Sequence, residues 1–285
     1  MATKQALSAH DHKYVATGFG NIAYREAGSG PVAIFVHGVF VNGHLWDRLI
    51  ERLAESRRCI AIDILAHGAT VTGTDQDLSF DAQADMLAAF CRALEFDKVD
   101  VVANDSGGGI AQIFAARYPA WIRSLALTDC DTHDNWPPKQ AEPLHRLAKA
   151  GGLGPVGQRM LDDVAFARAN FAAGFEHPDQ LSAEDFRTWL EPLFATPAST
   201  RNLERFIASF DNRQTVAVEP LLRKLQAPTL IVWGTADVFF PMKWAYWLRG
   251  AIPGARQVVE LEGAKLFLPW ERPVELANAL RNFWQ

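Results

Sequence analysis

The stretch VVANDSGGGIAQIFAARYP, residues 101–119, places an apolar run, a corner of small residues and a segment of helical spacing in direct succession. A strand that turns sharply into a helix needs small flanking residues, because the residue at the bend has a strained backbone and the helix packs close. In one register Asp105 is at the bend and Ala103 lies two residues before it. In the other register Ser106 is at the bend and Asn104 lies two residues before it.

Strands and helices alternate on both sides of this corner. Between residues 31 and 130, apolar runs such as PVAIFVHG and CIAIDI are separated by segments of helical spacing, and the same rhythm resumes near residue 227. Strands that are apolar on both faces and separated by helices indicate a mostly parallel sheet with helices on its two sides. The predicted fold class is therefore α/β.

Residues 134–212 interrupt this alternation. They contain helical segments such as LDDVAFARANFAAGF and AEDFRTWLEPLF, joined by Gly and Pro, and no convincing strand. We expect an all-helical cap over the carboxyl edge of the sheet, where open α/β sheets bind ligands. The predicted organisation is a core made of residues 1–133 and 213–285 with a helical cap at 134–212.

Composition argues against several classes of function and location. The 285-residue chain has a formal net charge of -5 with scattered Lys and Arg, so nucleic acid and anionic membranes are poor partners. No apolar run reaches the roughly 20 residues that span a bilayer, and the N-terminal segment lacks the apolar core of a signal peptide. The three cysteines have spacings that suit neither a disulfide framework nor a metal site. We expect a cytoplasmic protein that binds a small-molecule substrate, and no metal or organic cofactor is implied.

The corner and the motifs around it resemble the α/β-hydrolase superfamily, whose fold is a mostly parallel eight-stranded sheet flanked by helices. Its nucleophile elbow reads small-x-nucleophile-x-small-small and leads into a helix ending in Tyr-Pro or His-Pro. The superfamily's spacing to Ile110, Ala111 and Pro119 matches a nucleophile at Asp105, whereas counting from Ser106 is one residue out. The resemblance covers roughly 200 residues outside the cap and implies Asp105 as the nucleophile.

An Asp at this position resembles the branch that contains haloalkane dehalogenases, fluoroacetate dehalogenases and epoxide hydrolases. A carboxylate is a poor nucleophile toward an acyl carbon, but it can displace a halide or open an epoxide and so form a covalent ester. A plainer interpretation is that Asp105 caps the following helix. The two roles are compatible, because the positive end of that helix keeps the carboxylate ionised.

Two further segments resemble motifs of the superfamily. HGVFVNGHLW, residues 37–46, resembles the oxyanion loop and implies an oxyanion hole built from the backbone N–H groups of Val39 and Ser106. LIVWGTADVFFP resembles the segment that delivers the acid of the triad, here Asp237. The alternative is a loop aspartate that bonds its own turn. His37 is usually structural in relatives.

The last member of the triad is missing from this chain. Relatives carry a histidine in the context Gly-Ala-Gly-His-Phe followed by Glu-x-Pro, whereas this chain reads EGAKLFLPWERP. Alignment on Phe267 and Glu271 places Leu266 where the imidazole belongs. Loss of a triad member that activates water costs on the order of 10³ to 10⁶ in rate, so an ester on Asp105 would hydrolyse slowly. His133 is a candidate substitute, and a solvated loop histidine is the alternative.

Groups that define the subfamilies are also replaced. Ser106 stands where haloalkane dehalogenases have a halide-holding Trp and fluoroacetate dehalogenases have Arg. Epoxide hydrolases protonate the leaving oxygen with tyrosines of the cap, but none of the four tyrosines here lies within residues 134–212. No subfamily is therefore matched in full.

Three functions stay open on the sequence. The first is a hydrolase-type enzyme that acts on a small to medium apolar molecule through Asp105, with an incomplete triad. The second is a cofactor-independent lyase or isomerase in which Asp105 moves a proton. The third is a non-catalytic module that binds a ligand on the same fold. The candidate pocket residues are His37, Phe40, His133, Trp136 and Leu266.

Overall fold

Eight strands form one sheet in the computed structural model, which describes residues 12–285. Residues 1–11, which the sequence analysis assigns to the core, lie outside the described part. The strands are β1 (Lys13–Thr17), β2 (Gly20–Ala27), β3 (Val32–Val36), β4 (Arg58–Ile62), β5 (Val99–Asp105), β6 (Ile122–Cys130), β7 (Thr229–Gly234) and β8 (Ala255–Leu261). Their order is β1-β2-β4-β3-β5-β6-β7-β8; β2 pairs antiparallel with β1 and with β4, and the other neighbouring pairs are parallel. The predicted mostly parallel eight-stranded sheet is confirmed.

Helices cover the sheet and fill the interval between β6 and β7. The core helices are α1 (Asp47–Leu53), α2 (Phe80–Ala93) and α3 (Ser106–Arg117). Between β6 and β7 follow α4 (Glu142–Lys149), α5 (Leu153–Asp162), α6 (Val164–Phe171), α7 (Ala183–Phe194), α8 (Pro197–Ala208), α9 (Asn212–Ala217) and α10 (Glu219–Leu222). The chain ends with α11 (Lys243–Ala251), α12 (Leu268–Glu271) and α13 (Pro273–Phe283). Within residues 12–285, no helix combines the length and apolar character needed to cross a bilayer.

The strand β5 runs through the middle of the sheet and carries the corner to its carboxyl edge. All seven of its residues are buried, which explains the continuous apolar run, since helices cover both faces of the sheet. The strand ends at Asp105, and α3 begins at the next residue. The corner therefore lies at the edge where parallel α/β sheets bind their ligands.

The first turn of α3 packs directly against neighbouring strands. A Cβ on Gly107 would lie 2.4 Å from the carbonyl oxygen of Val36, at the end of β3. A Cβ on Gly108 would lie 2.2 Å from the Cβ of Cys130, at the end of β6. The small residues of the corner are thus required by close packing of a helix on two strands.

Gly108→Ala is expected to lower the free energy of unfolding by about 1–3 kcal/mol, because the added methyl group overlaps Cys130 and helix α3 must shift. Urea unfolding at equilibrium measures this change. Gly250→Ala is the matched control, since no atom lies within 4 Å of its added Cβ. The control is expected to be neutral or more stable by about 0.5–1 kcal/mol, because Ala favours the helix. Equal stabilities of the two variants would contradict close packing at α3.

A seam of hydrogen bonds joins residues 172–177, which follow α6, to residues 265–272, which follow β8. Phe267 N–H donates to the carbonyl of Gly174 at 3.0 Å. The Lys265 ammonium donates to the carbonyl of Phe175 at 2.9 Å. The Glu271 carboxylate accepts from the N–H groups of Glu176 and His177 at 2.7 and 2.8 Å. The helical segment is therefore fixed to the loop that carries Leu266.

Candidate active site

The bend between β5 and α3 falls at Asp105, which has φ +55° and ψ -135°. A positive φ is unfavourable for a residue that carries a Cβ, and such strain costs about 1–3 kcal/mol and concentrates at functional sites. Ser106 already belongs to α3, and its hydroxyl donates to Asp131 at 2.9 Å. Of the two registers that the sequence permits, the structure has the bend at Asp105.

Backbone N–H groups hold the Asp105 carboxyl at the corner. Val39 N–H donates to Oδ2 at 2.9 Å, and the nearby backbone N–H of Ser106 also favours the charged form of this carboxyl and lowers its pKa. Gly38 lies so close that an added Cβ would be 2.1 Å from the same oxygen. The two N–H groups expected to form an oxyanion hole are therefore directed at the side chain of Asp105 itself.

Burial raises the pKa of Asp105 to about 7. The hydrogen bond from Val39 opposes this rise, and the charge of Asp237 adds to it. A carboxyl with this pKa changes between acid and carboxylate near neutral pH, as a general acid or base must. The nucleophilic carboxylate form is fully populated only above that pH.

Asp105 borders a cavity of about 490 Å³, a volume within the range of small-molecule sites. The walls are mostly apolar side chains from the loop after β3, the helices between β6 and β7, and the loops after β7 and β8. These include Phe40, Leu144, Leu147, Leu153, Met160, Phe171, Phe194, Phe239, Phe240, Leu266 and Phe267. The polar residues of the lining are Asp105, Ser106, Asp131, Gln140 and Asn170. The cavity is suited to an apolar molecule with a reactive group near Asp105.

Asp131 is a second carboxyl in the cavity lining, at a position that none of the sequence motifs predicts as part of the site. It follows the end of β6, and its backbone N–H donates to the carbonyl of Asp105 at 3.3 Å. The only sequence signal was its position just beyond a strand end that neighbours the corner strand. Parallel strands that pair side by side bring such ends together at one edge of the sheet.

Asp237, the expected acid of the triad, lies outside the cavity lining. Its Oδ1 accepts from the N–H groups of Phe239 and Phe240 at 2.7 and 3.2 Å, which is the bonding of its own turn. Its carboxyl also pairs with Asp129, which accepts from Gly234 N–H at 2.9 Å. Burial raises the pKa of Asp237 to about 6 and that of Asp129 well above its usual range, and the charge of Asp237 adds to the rise for Asp129.

Leu266 lines the cavity, and its backbone is anchored beside the corner. Its carbonyl accepts from the Asn104 side-chain amide at 2.9 Å. Among the described residues, no histidine lines the cavity. A hydrocarbon side chain therefore occupies the position for which the sequence motif predicts an imidazole, and no imidazole of the described residues lines the cavity.

His37 was a candidate pocket residue, but it is fully buried beneath the oxyanion loop and does not line the cavity. Its Nδ1 bonds the carbonyl of Gly38 at 2.8 Å, and its Nε2 accepts from Ile64 N–H at 3.2 Å. Burial lowers its pKa, so the ring is neutral and serves the loop structure.

His133 and Trp136 also lie outside the lining, in contrast to the expectation from sequence. His133 Nε2 bonds the Glu219 carboxylate at 2.9 Å, and its ring lies 4.7 Å from that of Trp247. Trp136 stacks on Phe80 with ring centres 3.9 Å apart. Both rings are held by partners on other elements. Of the five candidate pocket residues, Phe40 and Leu266 are in the lining.

Comparisons with known proteins agree with this fold. A family model described as the alpha/beta hydrolase fold matches residues 31–273. A haloalkane dehalogenase of Mesorhizobium japonicum is 31% identical over 188 residues, which cover 65% of this chain and 60% of that protein.

Two solved structures share the architecture over almost the whole chain. A putative ancestral haloalkane dehalogenase superposes with a TM-score of 0.79 and 24% identity, covering 95% of this chain and 97% of its own. An epoxide hydrolase superposes with a TM-score of 0.80 and 21% identity, covering 96% of this chain and 98% of its own. At these identities the likeness establishes the fold, while function requires an argument from the site.

Proposed function

Since this chain belongs to the α/β-hydrolase fold family, we propose that it is a hydrolase that acts on a small to medium apolar molecule through Asp105. The proposal rests on one observation above all. The buried carboxyl of Asp105 lies in a strained bend and lines an apolar cavity, and the N–H groups of Val39 and Ser106 are directed at it. We also propose that residues 134–212 act as the cap of this site, since α4 to α7 contribute to the cavity wall.

The chemistry proposed for Asp105 is attack on a saturated carbon. A carboxylate oxygen forms a C–O bond while the bond from that carbon to the leaving group breaks, and the leaving group departs with the electron pair. Hydrolysis of the resulting ester requires water to attack the carbonyl carbon of Asp105. The two N–H groups would then stabilise the oxyanion that develops in that second step.

A 1-bromoalkane is expected to leave a persistent ester on Asp105, because attack needs only the carboxylate whereas water activation lacks an imidazole at residue 266. Intact-mass spectrometry should show the chain heavier by one alkyl group, and peptide mapping should assign that group to Asp105. The rate of adduct formation should rise with pH through about 7, as the carboxyl loses its proton. An adduct on another residue, or no adduct with a panel of bromoalkanes, epoxides and activated esters, would contradict the proposal.

Proton transfer by Asp105 in a lyase or isomerase is the second candidate function. The pKa of about 7 favours it, as does the absence of the histidine that ester hydrolysis uses. Conversion of a substrate without any trapped ester would support this function. Binding of compounds that stay unaltered and form no adduct would instead support a ligand-binding module.

We propose a cytoplasmic location for the protein. Cys59, Cys91 and Cys130 are all buried and unpaired, which suits a reducing compartment. Fractionation of the source cells with an antibody against the chain tests this location.

A further inference from the structure

We propose that Asp131 is a second catalytic residue in this cavity, a general acid that gives its proton to a leaving oxygen while Asp105 attacks carbon. The inference rests on the proposed function and narrows it. It favours substrates that leave on oxygen, such as epoxides, over substrates that leave as halide.

The geometry of Asp131 carries the inference. Its side chain is only 1% exposed, yet it belongs to the cavity lining. Oδ2 accepts from the Ser106 hydroxyl at 2.9 Å, whereas Oδ1 is buried and has no hydrogen-bond partner. A buried polar atom without a partner is costly and therefore rare in folded proteins. The lack of a donor to Oδ1 disfavours the charged form of this carboxyl and so favours the protonated form that a general acid needs.

The two carboxyls of the cavity differ in the hydrogen-bond donors that stabilise their charged forms. Asp105 has backbone N–H groups that favour its charged form, whereas Asp131 has one hydroxyl donor. Among the described residues that line the cavity, none is Lys, Arg or His. Burial raises the pKa of Asp131 well above its usual range, and the charge of Asp105 raises it further. Two carboxyls in one apolar site do not both ionise, so Asp105 is the carboxylate and Asp131 is the acid.

This division of roles balances for an epoxide. Asp105 forms a C–O bond to one ring carbon, the bond from that carbon to the ring oxygen breaks, and this oxygen takes the proton of Asp131. The products are a hydroxyalkyl ester on Asp105 and a carboxylate on Asp131, so the negative charge moves from one to the other. In the second step, water adds its oxygen to the carbonyl carbon of the Asp105 ester, and the Asp131 carboxylate takes one proton of that water. The bond from this carbon to the alkoxide oxygen then breaks, and the alkoxide takes the remaining hydroxyl proton. The product leaves as a diol, Asp105 is released as a carboxylate, and Asp131 is again the acid.

A substrate with a halide leaving group gains nothing from the acid at Asp131. Halide leaves as an anion and takes no proton, so Asp131 stays neutral and provides no base for ester hydrolysis. The described lining also contains no Trp or Arg side chain that would bind the departing anion. The ester formed from the bromoalkane should therefore persist. The ester formed from the epoxide should hydrolyse faster, because epoxide opening leaves Asp131 as a carboxylate that can act as a base.

The test compares Asp131→Asn with the wild type on a 1,2-epoxyalkane and a 1-bromoalkane of equal chain length, with enzyme in excess. Substrate consumption and the intact mass of the protein are followed together. The substitution keeps the shape of the side chain and an oxygen that can accept from the Ser106 hydroxyl, but it removes the acidic proton of residue 131. Epoxide consumption is expected to slow by about 10²-fold or more, because general acids contribute 10² to 10⁴. Bromoalkane adduct formation is expected to change by less than about 3-fold, since that step needs no acid.

Asp134→Asn is the matched control, since this neighbouring side chain is 61% exposed and lies outside the lining. It should leave both reactions unchanged. The wild-type epoxide rate should also rise with pH through about 7 and fall again at higher pH, where Asp131 loses its proton. The bromoalkane rate should only rise.

The outcomes separate the two proposals. If the wild type alkylates Asp105 with bromoalkane but leaves epoxide unreacted, or if Asp131→Asn slows neither reaction or both equally, the role of Asp131 is overturned and the role of Asp105 stands. If the wild type reacts with neither compound, the proposed function fails and the acid role fails with it. A selective loss of the epoxide reaction supports both.

Discussion

Asp105→Asn is expected to abolish adduct formation, with a loss of at least about 10³-fold in rate, and to stabilise the protein above pH 7. The amide retains an oxygen that accepts from Val39 N–H, so the corner keeps its hydrogen bond. It has no ionisable group, however, and its nitrogen and oxygen are far weaker nucleophiles than a carboxylate oxygen. Intact-mass measurement with 1-bromoalkane gives the first effect, and urea unfolding at pH 5 and pH 8 gives the second.

The sign of the stability change follows from the raised pKa of Asp105. The pKa of this carboxyl is about 7 in the folded protein against its ordinary value of 3.8, so the folded state holds the proton more strongly. Stability from this group is present at low pH and is lost as pH rises from about 4 to about 7. The difference of about three units corresponds to about 4 kcal/mol as an upper bound. Asp105→Asn should therefore be about 2–4 kcal/mol more stable than wild type at pH 8, and less so at pH 5.

Asp97→Asn is the control for this measurement, because Asp97 is exposed and should change stability little at either pH. A gain for Asp105→Asn that is equal at pH 5 and pH 8 would contradict titration of Asp105 as its cause. Retention of the adduct in that variant would show that another residue is alkylated.

Leu266→His is expected to accelerate breakdown of the bromoalkane ester by about 10²-fold or more. Leu266 and Asp105 line the same cavity, so we expect an imidazole at residue 266 to reach the water that attacks the ester. Asp237 uses Oδ1 for its own turn, and its Oδ2 has no hydrogen-bond partner. We expect the imidazole N–H to bond this oxygen. Single-turnover decay of the adduct, followed by intact mass, measures the change.

Two further variants show whether faster decay of the adduct comes from activation of water by the imidazole or only from a polar side chain at residue 266. Leu266→Gln gives a polar side chain with no base and should leave the decay rate near that of the wild type. Leu266→His combined with Asp237→Asn should lose much of the gain, because the ring is no longer oriented by a carboxylate. Decay of the Leu266→His adduct at the wild-type rate would mean that Asp237 and residue 266 no longer have the geometry of a triad.

The parts of the fold that the sequence predicts well are those with local signals. The apolar run of β5 and the glycines after Asp105 mark the corner within a few residues, because a buried strand and a close-packed helix impose their residue types locally. That residue 266 is Leu where the motif predicts His is equally clear from the sequence, since it is one position in a short motif. The parallel pairing of most strands and the helical interval between β6 and β7 follow from the alternation of elements, whereas the order of the strands in the sheet was not predicted.

The cavity lining depends on packing between distant segments and was harder to predict. Asp131 reaches Asp105 only because β5 and β6 pair with Asp105 opposite Cys130. His133 and Trp136 are residue types common in pockets, yet Glu219 and Phe80 hold them elsewhere. Such partners are on elements far away in the chain, and no local pattern reveals them.

The seam between residues 172–177 and 265–272 also holds one wall of the cavity in place. Phe267, Lys265 and Glu271 each form hydrogen bonds with the backbone of residues 172–177, so several bonds join the two segments. Leu266 and Phe267 line the cavity, and we therefore expect this wall to stay in position unless those bonds break together.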